Sequence, residues 1–181
     1  MSVVAGIQIV EYDPTWADAA ASAITELQPI FRGLVPEIEH IGSTAVPGLA
    51  AKPTIDLMAA TDHLDRVERR EDELAVLGYH RHHNGMTDRL LYVRSTGSTR
   101  THILHIVALD TWPNRNQRLL RDYLRTHPRD AYRYGELKKA IAAAGVHPGD
   151  YAKAKTTLIQ ELTDRARAER GLSSMPVWEK S

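Results

Sequence analysis

The 181 residues predict an α+β fold: a small mixed sheet with helices on one face and a helical C-terminal part packed beside it. Three observations carry this. Short apolar runs alternate with helix-period segments through the first part of the chain. Two runs, residues 89–94 and 101–109, are parted only by polar turn residues and read as an antiparallel hairpin. From Trp112 onward every periodic segment is helical. The expected organisation is one domain over residues 1–170, with sheet and helices in 1–110, a helical part in 111–170, and a flexible tail at 171–181.

Taken in order, residues 7–12 alternate weakly and read as a short strand stopped by Asp13-Pro14. Pro14 suits a first helical turn after Asp13 as N-cap. Trp16, Ala20, Ala23, Ile24, Leu27 and Ile30 then recur at helical spacing until Gly33 and Pro36. Residues 37–41 form a strand with Ile38 and His40 on one face and Glu39 and Ile41 on the other. A loop rich in Gly, Pro, Ser and Thr follows. Residues 54–60 form a second strand, apolar enough to be covered on both faces, so Asp56 within it is costly unless paired or bound to a cation. Residues 63–78 are helical behind a charged solvated face, with Gly78 as C-terminal cap. Residues 79–83 read as a strand, Asn84-Gly85 as a turn, and the hairpin comes next. Three helices complete the chain, over 114–127, 129–144 and 150–170. Ala131, Tyr134, Leu137, Lys138 and Ile141 are spaced along the second of them.

Composition narrows the function. With 23 basic and 23 acidic residues, no net charge draws the chain to nucleic acid or anionic membrane. Cysteine is absent, which removes disulfides and thiolate metal sites. No apolar run of about 18 residues marks a membrane span. The start of the chain lacks a signal-peptide pattern, so a cytoplasmic location is expected. Nine histidines stand against one phenylalanine, several of them clustered.

The stretch IEHIGSTAVPGLAAKPTIDLM is where the chemistry is expected. Gly42 and Gly48 permit positive φ or close approach to a ligand. Ser43, Thr44 and exposed backbone N–H groups lie at the end of one strand, and Asp56 lies inside the next. Donors beside an acid are what a phosphate and its metal ion require.

These residues, with the later THILHIV, RDYLRTHP and DYAKAKT segments, resemble the GrpB family of bacterial proteins over most of the chain. A similar domain is fused to dephospho-CoA kinase in some bacteria. The resemblance implies the nucleotidyltransferase superfamily, with a small mixed sheet flanked by helices. It also implies a nucleoside triphosphate and Mg²⁺ bound at Gly42-Ser43 and Asp56. In-line nucleotidyl transfer to a small acceptor would be the reaction, with Lys155 beside Asp56 in the catalytic centre and Lys52, Arg121 and Tyr151 serving the anionic substrate. One position departs from the pattern. The superfamily's second acid, two residues after the first, is here Met58, a poor ligand for a hard cation.

Asp56 with His40, His102 or His105 forms an alternative centre, imidazole and carboxylate together, suited to Zn²⁺, Fe²⁺ or Mn²⁺. In a regular strand His102 and His105 point to opposite faces, and His105 is the preferred partner. Three functions follow: a metal-dependent nucleotidyltransferase, a single-metal enzyme acting on a metabolite without nucleotide, and a non-catalytic ligand-binding module of the same fold. In each the partner is a small molecule.

Overall fold

The computed structural model describes residues 7–177. Its elements are α1 (Thr15–Leu27), β1 (Glu37–Ile41), β2 (Ile55–Thr61), α2 (Leu64–Glu68), α3 (Glu71–Val76), β3 (Tyr79–Arg81), β4 (Arg89–Thr96), β5 (Thr99–Ala108), α4 (Asn116–Thr126), α5 (Pro128–Ala143), α6 (Tyr151–Ala154) and α7 (Thr156–Ala168). The five strands form one mixed sheet in the order β1-β2-β5-β4-β3. Only the β2–β5 pair is parallel.

One sheet face carries the main core. Leu57, Ala59, Leu104, Ile106, Leu90 and Tyr92 meet Trp16, Ala20, Ala23 and Leu27 of α1, with Val67 and Leu74 from α2 and α3. Alternation along β2 sends Asp56, Met58 and Ala60 to the other face. Met58 is fully buried there with Ile41, Ala60, Val107 and Trp112. The C-terminal helices enclose a third cluster, in which Leu119, Tyr123, Leu124, Tyr134 and Leu162 pack on Val46 and Leu49 of the loop after β1. That loop is clamped between the sheet and the helices, so its conformation is fixed from both sides.

The structure corrects several expectations. Residues 7–12 make no strand, only the bridge between Val10 and Ala51, because α1 begins at once, with Thr15 donating from N and Oγ1 to Asp13 Oδ1 at 2.8 and 2.7 Å. The helix over 63–78 is two short ones. Between Val67 and Leu74 there is no apolar side chain to hold a further turn on the core. The helix over 150–170 is broken between α6 and α7, and Lys155 stands at the break. Residues 171–177 are not loose but lie along α7. Arg167 Nε and Nη1 donate to Ser173 O and Asn114 O, Ser174 Oγ donates to Asp164 Oδ1, and Gln160 bonds Met175 O and Val177 N. The rest of the expected tail, residues 178–181, is outside the described residues. No helix among the described residues is long and apolar enough to cross a membrane.

Candidate functional site

The register of the sheet fixes what can share a site. Ile41, Asp56, Ile103, Val93 and His80 form one row across the strands, and Glu39, Met58, His105 and Leu91 form the next. Residues directly opposite one another point the same way. Asp56, Met58 and His105 therefore share a face, while His40 and His102 fall on the other with Leu57 and Leu104.

Gly42 ends β1 with φ 74° and ψ −172°, a region open essentially only to glycine. The missing side chain matters as well, since a Cβ there would come within 2.7 Å of Asp56 Oδ2. The chain then makes a short 3-10 turn, Ser43–Ala45. Thr44 Oγ1 donates to Thr54 O at 3.3 Å and lies 2.9 Å from His40 Nε2. Burial pushes the His40 imidazole down to about 4 against the pull of Asp56, with Arg125 and Arg121 adding to the fall. His40 is thus neutral and spent on holding the turn. Arg125 Nε fixes the turn from the helical side, donating to Ala45 O at 2.8 Å.

Above this turn opens a pocket of about 180 Å³. Ser43, Thr44 and Thr54 supply hydroxyls, Asp56 the one carboxylate, and Lys52, Arg100 and Lys155 the cations; Ile103 and Tyr151 complete the wall. The α6–α7 break delivers Lys155, whose Nζ lies 4.1 Å from the Tyr151 ring centre. Burial lowers the Lys155 amine to about 8; Asp56 opposes this and Lys52 adds to it. Burial likewise raises the Tyr151 phenol, helped by Tyr134. Tyr134, buried on α5, is raised to about 12 by burial, with Ser43 pulling it down and Asp56 adding to the rise.

Arg100 reaches the pocket through an irregularity that sequence alternation does not show. In a regular strand it would share a face with His102. The β4–β5 register shifts between Arg94 and Ser95, so Arg94 faces His102 but Ser95 faces Arg100, leaving Thr101 as the extra residue. Such a bulge re-aims the side chains beyond it. Thr101 Oγ1 donates to Arg94 O at 3.2 Å across the bulge. The only hint in the sequence is the polar run that closes the hairpin.

Other expected site residues stand elsewhere. Arg121 does not line the pocket. It donates from Nη1 to Glu39 Oε2 at 2.6 Å and to His40 O at 2.9 Å, and pairs with Asp122. It is a strut between α4 and β1 where a phosphate ligand was expected. His102 packs its ring against Tyr79 on the far face, centroids 6.2 Å apart, with Nδ1 2.9 Å from Thr101 Oγ1. Among the described residues His105 is the histidine within ion-pair distance of Asp56, with Nε2 3.9 Å from Oδ1; that is too far for a hydrogen bond. Among the described residues no group of three or more His, Cys, Asp or Glu is placed to hold a metal ion. The donor set agrees with this. Beside Asp56 on the next strand is Ile103, and two residues on is the buried thioether of Met58. One carboxylate and a distant imidazole do not fit a two-ion magnesium site, which needs several oxygen ligands. The mixed imidazole–carboxylate centre is reduced to two side chains.

Comparison with known proteins places the chain. It superposes on terminal uridylyl transferase 4 from Trypanosoma brucei, solved with dUTP bound, with a TM-score of 0.55 at 12% identity over 94% of this chain and 64% of that one. The mixed sheet with a Gly-Ser turn before the strand that carries Asp56 is thus a nucleotidyltransferase-type fold. The chain belongs to the GrpB family, whose model, described as GrpB protein, matches residues 6–165. The crystal structure of GrpB from Enterococcus faecalis matches with a TM-score of 0.84 at 31% identity, covering 91% of this chain and 99% of that one. The UPF0157 protein YqkA of Bacillus subtilis is 32% identical over 165 residues, 89% of this chain and 47% of that protein. The chain thus spans about half the length of that relative.

Proposed function

We propose that the pocket binds a nucleoside triphosphate and that the protein transfers its nucleotidyl group to a hydroxyl of a small acceptor. One observation supports this above the others: Lys52, Arg100 and Lys155 converge with the hydroxyls of Ser43, Thr44 and Thr54 around a single carboxylate. Three cations against one acid call for a polyanion, and the fold is one that handles nucleotides. The phosphates would lie against Ser43, Thr44 and the three basic side chains, which then carry charge neutralisation that acidic residues and their metal ions carry elsewhere. Asp56 would accept the proton of the incoming hydroxyl as its oxygen attacks the α-phosphorus. The new P–O bond forms as the bond to the bridging oxygen breaks, and pyrophosphate leaves. A divalent cation arriving with the nucleotide would supply further charge neutralisation, though the side chains do not fit a two-ion site.

Calorimetry with ATP, CTP, GTP and UTP, each with and without Mg²⁺ or Mn²⁺, is the test. At least one nucleotide should bind, and Lys155→Met and Arg100→Ala should each weaken it about tenfold, the scale of a charge-assisted contact. With water as acceptor, slow pyrophosphate release should be seen and should vanish in Asp56→Asn. Absence of binding by all four nucleotides would remove this reading.

A further inference from the structure

Behind the pocket lies a lysine without a bonding partner. Lys138 sits on the buried stripe of α5, one turn after Tyr134, and is 2% exposed. Its Nζ is buried and makes no hydrogen bond. The nearest aromatic face is that of Tyr134, with Nζ 4.4 Å from the ring centre. An isolated ammonium in such a place bears a large desolvation penalty, whereas a neutral amine bears a small one.

The groups that face Lys138 are few. Tyr134 comes from its own helix, and Lys155 comes from the α6–α7 break and repels a charge on Lys138. Asp56 acts on Lys155 and Tyr134, and Lys52 acts on Lys155. Burial first, and Lys155 second, bring the Lys138 amine down to about 7. Tyr134 connects this amine to the pocket, since Ser43 acts on its hydroxyl while its ring lies under Nζ.

We propose that Lys138 is the proton-accepting back wall of the pocket. It stands uncharged behind Lys155 while the pocket is empty and takes up a proton when a phosphate-bearing ligand enters, so that ligand and proton bind together. The inference rests on the phosphate reading of the pocket given above. Lys138 would be a positioning residue, since its Nζ is walled off from the pocket and acts through Lys155 and Tyr134. An anion against Lys155 both cancels the repulsion and attracts a second positive charge. The sign follows from linkage. The liganded state holds the proton more tightly, so affinity falls as pH rises above about 7, by at most about tenfold per pH unit for each proton taken up, with Lys155 adding its own above about 8. Below that value Lys138 is charged in both states and contributes no dependence.

The experiment is calorimetry of ATP and of inorganic tripolyphosphate between pH 7.5 and 9, where each ligand's own ionisation is common to wild type and variants and cancels in the comparison. Two buffers of different ionisation heat give the protons taken up. Lys138→Met and Lys138→Gln are compared with wild type, with circular dichroism and melting temperature confirming the fold. The expected result is proton uptake by wild type that is reduced in both variants, together with a shallower fall of affinity with pH. Equal uptake and equal slope in wild type and both variants would overturn the role of Lys138 while leaving the phosphate pocket standing. If neither ligand binds wild type, the pocket reading and this inference fall together.

Discussion

Glu39→Ala is expected to lower the unfolding free energy by about 3 kcal/mol, the low end of what removing one member of a buried ion pair costs. Glu39 lies on β1, in the row next to Asp56, and receives two guanidinium groups. Arg118 Nη2 and Nε donate to its two carboxylate oxygens at 2.8 and 3.0 Å, and Arg121 Nη1 donates at 2.6 Å. The Arg121 side chain is only 8% exposed and the Arg118 side chain 18%. Removing the acid leaves Arg121 with Asp122 and the His40 carbonyl and Arg118 with the Trp112 carbonyl, while Glu39 itself is 25% exposed, which keeps the loss from the upper end. Urea unfolding reads the loss directly. Burial pushes the Glu39 carboxyl up, but the bonds and charges of Arg118 and Arg121 outweigh it and hold the carboxyl below its ordinary 4.5. The stabilisation is therefore present above 4.5 and lost as pH falls through the lower folded value. Glu39→Gln should flatten that acid limb while keeping part of the hydrogen bonding. An unchanged unfolding curve for Glu39→Ala at neutral pH would refute the strut.

This clamp also shows where sequence reading stops. The strand over residues 37–41 and the apolar strand after it follow from alternation and apolar runs. Parity also separates His102 from His105 onto opposite faces, because it is a local property, but which of them meets Asp56 depends on the β2–β5 register. Arg121 is different. An arginine on an amphipathic helix has the same local signature whether it meets a substrate phosphate or Glu39, and the choice depends on how α4 lies across β1. Arg100 fails for a related reason, since parity counts residues and the bulge at Thr101 adds one. Lys138 fails in the opposite sense. Its position on the apolar stripe of α5 was visible, but that a lysine there would have no acid against it depends on the packing of α5 on Tyr134 and the α6–α7 break. The single helix expected over 150–170 hid that break, and with it the geometry that turns Lys155 toward Asp56.

Gly42→Ala is expected to abolish nucleotide binding and to cost about 3 kcal/mol of stability, combining strain at a glycine-only backbone conformation with overpacking. The added Cβ would lie 2.7 Å from Asp56 Oδ2 and 3.1 Å from Asp56 Cβ. The carboxylate can rotate away, but the Asp56 Cβ is fixed by β2, which is paired on both sides. The turn must therefore shift, and Ser43 and Thr44 shift with it. Gly48→Ala is the matched control. Its φ of +79° is also positive, but an added Cβ there meets nothing within 4 Å, so it bears conformational strain alone, about 1–2 kcal/mol, and should leave the pocket in place. Asp56→Gly combined with Gly42→Ala separates the two terms, because it removes both the 2.7 Å and the 3.1 Å contacts and keeps the backbone strain. The double variant should recover about 1 kcal/mol relative to the sum of the single ones, a coupling typical of residues in contact. Additive losses, or binding retained in Gly42→Ala, would mean that Asp56 is not seated against Gly42. The Gly-Ser turn would then be a structural corner, and the three cations beside it would need another anion to explain them.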